Sequence, residues 1–115
     1  MEEDLFGVCP FVTTQKILQG KWAILILYHV SKGPIRFNEL LRRLPKMTHA
    51  TLASQLKQLE AQGLITREEY PQIPPRVEYS LSEIGTHFCK VLECIEVWGL
   101  EYIELLKQKG SSEQK

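Results

Sequence analysis

The spacing of leucines predicts a helix near the middle of the chain. Three apolar residues recur at the interval that buries one face of a helix; they are Leu52, Leu56 and Leu59. Thr48 can cap the start of this helix, because its hydroxyl can accept a hydrogen bond from a free backbone N–H. Gly63 is typical of the position that follows a helix. The pattern therefore predicts a helix over residues 48–62.

The next stretch predicts a hairpin. Residues 64–70 and 76–81 alternate apolar and polar side chains, as expected for two antiparallel strands. The tip between them is rich in proline, and such a rigid tip can present Arg67 or Arg76 to a phosphate or to the minor groove of DNA. The alternative is that the prolines only keep the hairpin from pairing with other chains. A helix followed directly by a hairpin is the arrangement of a winged helix.

Two further helices are predicted near the start of the chain. Thr13 or Thr14 can cap a short helix that Gly20 would end. Residues 21–31 are apolar nearly all the way round a helix. Such a helix must be covered on more than one side, and in a domain this small a second subunit could supply part of that cover.

A strand and a helix are predicted between these helices and the leucine-rich one. Residues 35–37 allow only a short strand, which can become the third strand of the small sheet. Asn38 can cap a helix over residues 39–44, with Arg42 and Arg43 facing outward. Two helices joined by a short turn, with a hairpin after the second, predict a winged helix-turn-helix. The predicted fold class is therefore mainly α with a small antiparallel sheet (α+β).

From Ser82 onward the pattern predicts one long helix with Ser82 as its N-cap. Its apolar residues alternate at the four-and-three spacing of a coiled coil. They are Ile84, Phe88, Val91, Ile95, Trp98, Tyr102 and Leu105. A small domain cannot cover so long a stripe, so we expect it to form the interface of a two-fold homodimer. The alternative is a helix that folds back onto its own domain.

These elements divide the chain into four predicted parts. They are an N-terminal arm over residues 1–12, a winged helix-turn-helix DNA-binding domain over 13–82, a C-terminal dimerisation helix over 83–109 and a disordered tail over 110–115. Helices at both ends are thus added to the winged domain for dimerisation.

Charge is unevenly distributed along a chain whose formal net charge is zero. Between Arg36 and Arg67 there are six basic and two acidic residues, a local excess of four positive charges, while acidic residues gather near both ends. This distribution suits a protein that places one face on DNA phosphates. The alternative is solvated charge with no partner.

Targeting and cysteine content indicate the compartment. No apolar run is long enough to span a bilayer, and the first residues are acidic where a signal peptide would be basic. Cys9, Cys89 and Cys94 are too few for a disulfide framework and are expected to be free thiols. We therefore expect a cytoplasmic protein with no membrane partner.

The predicted helix over residues 48–62 has short and amide side chains on its outer side, and such side chains can approach base edges in DNA. The residues expected to read bases are His49, Ala50, Ser54, Gln55 and Gln58. The residues expected to contact the DNA backbone are Arg36, Arg42, Arg43, Thr48, Lys57, Arg67 and Arg76. Double-stranded DNA is therefore the predicted partner.

Several motifs resemble the HxlR-type transcriptional regulators of bacteria, relatives of the MarR group. They are Cys9 with Pro10, residues 20–22, Gly33, residues 36–40 and the hairpin sequence over residues 74–81. The resemblance spans residues 9–106. It implies a dimeric repressor or activator that binds an inverted-repeat operator, with the helix over residues 48–62 as the recognition helix and the terminal helices forming the dimer.

The resemblance also concerns Cys9, since several family members sense oxidants or electrophiles through a cysteine at this position. A thiolate near a helix N-terminus or near cations is the reactive form of cysteine. A disulfide or adduct at the dimer seam could reset the distance between the two recognition helices, to which binding of half-sites is sensitive. The resemblance thus implies an oxidant or small-molecule inducer. The alternative is that Cys9 packs as a small apolar residue.

Three other classes of protein fit the residues less well. A metal-responsive repressor would need clustered ligands, but His29, His49 and His87 are scattered along the chain. A winged helix that binds only proteins would show apolar residues on the outer face of its second helix. An enzyme would need a motif such as a phosphate loop or a nucleophile elbow. We predict no metal, cofactor or catalysis, and keep the metal-responsive repressor and the protein-interaction module as alternatives.

Overall fold

The computed structural model of the chain describes residues 5–44 and 46–113. Its helices are α1 (Pro10–Ile17), α2 (Ala23–Val30), α3 (Phe37–Arg43), α4 (His49–Ala61), α5 (Glu83–His87) and α6 (Cys89–Glu113). Its strands are β1 (Ile35–Arg36), β2 (Ile65–Tyr70) and β3 (Arg76–Leu81). This order, with two helices before a hairpin, confirms the winged helix-turn-helix and the α+β class.

The helix α4 is the predicted recognition helix, and its ends form as the sequence predicts. The backbone of Thr48 is extended, and its hydroxyl accepts a hydrogen bond from the N–H of Thr51 at 3.1 Å. At the other end Gly63 has a φ of +81°, a conformation that residues with a side chain rarely adopt. One side of α4 is buried through Leu52, Leu56 and Leu59, which are at most 2% exposed.

The three strands form one antiparallel sheet in the order β1–β3–β2. Ile35 lies opposite Tyr79, which confirms the predicted third strand, and Tyr70 lies opposite Arg76 at the tip of the hairpin. Successive side chains of a strand point to opposite faces. Val77 and Tyr79 therefore pack against the core, while Arg76 lies on the outer face of the sheet.

The core lies between α2, α3, α4 and the inner face of the sheet. Its most deeply buried side chains come from each of these elements; they are Ile26, Leu27, Val30, Leu40, Leu44, Leu52, Leu56, Leu59 and Ile65. Burying a side chain of this size contributes about 1.5–3 kcal/mol. The core therefore fixes how α4 and the hairpin are held relative to each other.

Two predicted helix starts are wrong. The helix α1 begins at Pro10, after an extended Cys9, and not at Thr13 or Thr14. Thr13 is already inside the helix, and its hydroxyl accepts a hydrogen bond from the N–H of Gly7 at 2.8 Å. The helix α3 follows β1 directly with Arg36 at the N-cap, so Asn38 lies in its first turn. A proline near the start of a helix costs no hydrogen bond, which explains the earlier start of α1.

The prediction of one long C-terminal helix is also wrong, because α5 and α6 are separated at Phe88. Ser82 caps α5 as predicted, accepting from the N–H of Gly85 at 3.1 Å. The same residue is tied to the turn after α4, since its N–H donates to the carbonyl of Leu64 at 3.0 Å. Gly85 packs so closely on that carbonyl that a Cβ there would collide with it. At the break the N–H of Phe88 donates to the carbonyl of Gly85 at 3.0 Å, which is a tighter turn than that of an α-helix. The apolar spacing does not reveal this turn, because it continues through both helices.

The boundaries at the two ends also differ from the predicted parts. The helix α6 continues to Glu113, four residues past the predicted boundary at 109, and α1 begins inside the predicted arm. Residues 1–4, 114 and 115 of the predicted arm and tail lie outside the described residues. In the part of the chain that the structure describes, no helix is long and apolar enough to cross a membrane.

Candidate nucleic-acid interface

The outer side of α4 is an exposed surface of small and polar side chains. Ala50, Ser54 and Lys57 are exposed and lie opposite the buried leucines. Small side chains let the helix backbone approach base edges closely, and the lysine can reach a phosphate. We call these three residues the outer face of α4.

The other predicted base-reading residues lie to either side of this face. The His49 ring packs against Phe37 of α3, with ring centroids 4.4 Å apart. The Gln55 amide lies against Gly20, in the loop between α1 and α2, where a Cβ would collide with it. Gln58 is half-buried. The structure thus brings Ala50 and Ser54 together, whereas His49 and Gln55 contact other elements of the same domain.

The tip of the hairpin holds Arg76 against Tyr70. The Arg76 guanidinium lies 4.0 Å from the centroid of the Tyr70 ring, a cation–π arrangement. Its Nε is 3.7 Å from the Glu78 carboxylate and has no hydrogen-bond partner among the described residues. The Tyr70 hydroxyl donates to Glu68 at 3.2 Å. The pKa of Tyr70 is raised, chiefly because the hydroxyl is partly removed from solvent and also because the Glu68 carboxylate is negatively charged. Arg76 is therefore positioned before any ligand arrives.

The two arginines of α3 that were predicted to contact the DNA backbone share one carboxylate. Arg42 and Arg43 both form ion pairs with Glu39, and the Arg43 Nε is 2.9 Å from it. The hydrogen bond from Arg43 is the main reason that the pKa of Glu39 is lowered, with Arg42 adding to it. Exposed pairs of this kind contribute little to stability. Both arginines therefore remain available to a phosphate at small cost.

The remaining predicted backbone contacts lie on different elements. Arg67 lies on the edge strand β2, half-exposed, with its Nη1 3.4 Å from Glu69. Thr48 is exposed, and its hydroxyl hydrogen bonds join it to Thr51. Lys57 belongs to the outer face of α4, away from the arginines of α3. The predicted contacts thus form separate groups along the domain.

A concave surface of about 780 Å³ brings four of the predicted arginines together between α3, β1 and the hairpin. We call it the basic cleft. The titratable groups that line it are His29, Lys32, Arg36, Glu39, Arg42, Arg43, Arg76 and Glu78. His29 and Lys32 were not among the predicted site residues, because they lie at the end of an apolar helix and carry no motif. Only the fold brings them to the arginines.

The three cysteines are free thiols in different surroundings. Cys9 is half-buried at the N-cap of α1, and its N–H donates to the carbonyl of Leu5 at 2.8 Å. Cys89 is half-buried at the start of α6, whereas Cys94 is exposed. In the described part of the chain, no three histidine, cysteine or acidic side chains converge as a metal site would require.

The predicted dimer residues fall into two groups. Phe88 packs against the core of its own domain, and Ile95 is half-buried. The rest are exposed to different degrees; they are Ile84, Val91, Trp98, Tyr102 and Leu105. Three further apolar residues of α6 are exposed and were not in the predicted seam; they are Val97, Leu100 and Ile103. A strict coiled-coil spacing missed them because α6 is apolar on more than one side.

The comparisons with known proteins agree on one family. The model of the HxlR-like helix-turn-helix family matches residues 17–107. The HTH-type transcriptional regulator YdeP of Bacillus subtilis (strain 168) is 43% identical over 97% of this chain and 90% of that protein. The redox regulator HypR in its reduced form superposes with a TM-score of 0.81 at 38% identity, over 86% of this chain and 98% of that chain.

A second solved structure is similar. The reduced form of the transcriptional regulator YodB from B. subtilis superposes with a TM-score of 0.70 at 32% identity, over 79% of this chain and 90% of that chain. The family match covers the winged domain and most of α6, which are the elements that carry the interface described above. The chain therefore belongs to the HxlR-like helix-turn-helix family of transcriptional regulators.

Proposed function

We propose that two copies of this chain bind an inverted-repeat operator as a two-fold dimer, with one α4 helix in the major groove of each half-site. The observation that carries the proposal is the outer face of α4, where Ala50, Ser54 and Lys57 are exposed on a helix whose other side is fixed in the core. A rigid helix with a small polar surface fits the major groove of B-DNA. The place of action is the cytoplasm, where such a regulator meets its DNA.

The roles of individual residues follow from their positions. Ala50 and Ser54 approach base edges, and His49, Gln55 and Gln58 flank them at the edges of the same contact. Lys57 and Thr48 on α4, and Arg67 on the hairpin, neutralise or position phosphates. The four arginines that line the basic cleft, Arg36, Arg42, Arg43 and Arg76, complete the backbone contacts.

The dimer supplies the two-fold symmetry that an inverted repeat requires. The exposed apolar side chains of α6 are the surface we assign to it, together with Ile24, Leu25 and Tyr28 of α2, each 38% exposed. An apolar surface on both helices is typical of an interface between copies of a chain.

The test is fluorescence anisotropy on a labelled duplex from upstream of the gene for this protein. Lys57→Gln should weaken binding to all sequences alike and reduce the slope of log K against log salt by about 2, because each of the two subunits loses one phosphate contact. Glu60→Gln on the same helix is the matched control, and we expect its salt slope to stay at the wild-type value. Equal slopes for Lys57→Gln and wild type would mean that Lys57 does not contact a phosphate.

We also propose that oxidation or alkylation of Cys9 changes the affinity for the operator. Cys9 is half-buried next to the start of α1. The chain is similar to HypR, a redox regulator, and to YodB, a regulator whose structure has been solved in a reduced and in a diamide-treated form. A bulky adduct or a disulfide at a half-buried site would displace α1 from its neighbours.

This second proposal has its own test. Anisotropy is measured in reducing buffer and after mild thiol oxidation, for wild type, Cys9→Ser and the control Cys94→Ser. We expect oxidation to change binding of wild type and Cys94→Ser but not of Cys9→Ser. Equal binding in both buffers for all three proteins would discard the thiol switch and keep the regulator.

A further inference from the structure

The loop between α1 and α2 contacts α4 through the side chain of Gln55. This glutamine is half-buried and lies on the flank of α4, between the buried leucines and the outer face. Its amide group lies against Gly20. A Cβ at Gly20 would be 3.1 Å from both the amide carbon and the amide nitrogen of Gln55, and closer still to Oε1. Atoms forced so close together must shift. The absence of a side chain at Gly20 therefore makes room for the amide.

The fold holds Gly20 in a fixed place. On one side of it Leu18 packs against the core, and on the other side Trp22 does the same. The Gly20 carbonyl accepts a hydrogen bond from the N–H of Ala23, the first residue of α2, at 3.1 Å. Ala23 is itself buried. The surface that the Gln55 amide meets is therefore anchored to the same core as α4.

The polar atoms of the Gln55 amide remain free for a ligand. In the described part of the chain, this amide makes no hydrogen bond. Packing on the glycine thus sets its position without using its donors and acceptor. A glutamine amide can pair with both N6 and N7 of adenine in the major groove. Holding the side chain in place before binding also reduces the conformational entropy that binding would cost.

We propose that Gly20 is a positioning residue for base reading. By leaving room for the Gln55 amide, it sets the orientation of this amide and with it the preferred base pair at one position of each half-site. The inference rests on the proposed function, in which Gln55 lies at the edge of the contact between α4 and DNA. The base preference of α4 therefore depends on a loop outside the two helices of the helix-turn-helix.

The test is selection of preferred DNA sequences by wild type, Gly20→Ala, Gln55→Ala and the double variant. Gly20 does not have a positive φ, so an alanine can adopt its backbone conformation, and the group it would meet is the end of a flexible side chain. We expect Gly20→Ala to change the preference by about fivefold or more at one base pair of each half-site, the same one that changes in Gln55→Ala. The matched control is Gln19→Ala, an exposed residue of the same loop, which should select the wild-type sequence.

The double variant separates positioning from a purely structural role of Gly20. If Gly20 acts through the amide, the double variant should show the same preference as Gln55→Ala alone. It should also bind DNA as tightly as Gln55→Ala, even if Gly20→Ala alone binds poorly, because the colliding amide is gone. A structural role would instead weaken binding to all sequences alike, in both backgrounds, and leave the preference unchanged.

Three results would overturn the proposal. They are an unchanged preference in Gly20→Ala or in Gln55→Ala, a change in Gly20→Ala at a base pair that Gln55→Ala does not affect, and a double variant that binds less tightly than Gln55→Ala. Absence of sequence-specific binding by wild type would contradict the proposed function, and the inference with it. Specific binding by wild type with any of the three results contradicts only the role of Gly20.

Discussion

The helices α4 and α6 differ in which of their side chains the fold leaves exposed. The leucines of α4 are at most 2% exposed, and its outer face is small and polar. In α6, by contrast, Val97, Trp98 and Leu100 are each at least 60% exposed. The helix α4 buries its leucines in its own domain, whereas α6 leaves most of its apolar side chains exposed. A polar face suits nucleic acid, and an apolar face suits a second copy.

The largest effect is expected from breaking the buried side of α4. Leu56→Ala should lower the free energy of unfolding by about 2–5 kcal/mol, because it leaves a cavity in the core. Urea denaturation measures the change. Ser54→Ala on the outer face of the same helix is the control, with an expected change within about 0.5 kcal/mol. A similar loss for both variants would mean that the two sides of α4 do not differ as described.

The next effect concerns the apolar surface of α6. Trp98 is 64% exposed in the single chain, and a glutamate there would place a charge in the proposed interface. We expect Trp98→Glu to weaken the dimer by about 2 kcal/mol or more, close to thirtyfold in the dissociation constant. Analytical ultracentrifugation measures it, with Lys90→Glu as the control. A dimer as tight as the wild type would place the interface elsewhere.

A smaller effect is expected at the start of α4. Thr48→Ala removes the oxygen that accepts from the N–H of Thr51, and this should cost about 1 kcal/mol of stability. Thermal or urea unfolding measures the loss. Thr66→Ala, which changes an exposed strand residue, should cost less. If the two threonine variants were equally stable, the capping role of Thr48 would be wrong.

The smallest effect is the pH dependence of stability at His29. The pKa of His29 in the folded chain lies below the ordinary 6.5, first because of burial and then because of the positive charges of Arg43 and Lys32. As the pH falls below 6.5, the unfolded chain is therefore protonated at this histidine to a greater extent than the folded chain, and this difference lowers the free energy of unfolding. This contribution to stability is complete above pH 6.5 and is lost as the pH falls toward the lower, folded pKa. His29→Gln should therefore lose less stability than wild type between neutral and acidic pH in urea titrations. A steeper loss of stability in His29→Gln than in wild type would contradict a lowered pKa of His29 in the folded chain.

Much of the fold could be predicted because its signals are local. The leucine spacing, the caps at Thr48 and Ser82, the stop at Gly63 and the hairpin depend on residues close in sequence. The errors have two causes. The start of α1 is set locally, because Pro10 costs no hydrogen bond in the first turn. The break at Phe88 follows a helix that docks on the turn after α4, and this tertiary contact is not visible in the sequence.

The candidate site was predicted less completely for the same reason. Helical position correctly placed Ala50, Ser54 and Lys57 outward, because only the buried leucines decide that direction. It could not show that Gln55 lies against Gly20 or that His49 packs on Phe37, since those partners belong to other elements. Nor could it bring Lys32 to the arginines of α3.

The most direct measurement is selection of preferred DNA sequences by the wild type and by Ser54→Ala, Gln58→Ala and the control Glu101→Gln on α6. If α4 reads bases, each α4 variant should relax the preference at one base pair of each half-site, by about 1–3 kcal/mol, while Glu101→Gln keeps the wild-type sequence. If both α4 variants selected the same sequence as wild type with the same stringency, the role of α4 as the base-reading helix would be contradicted.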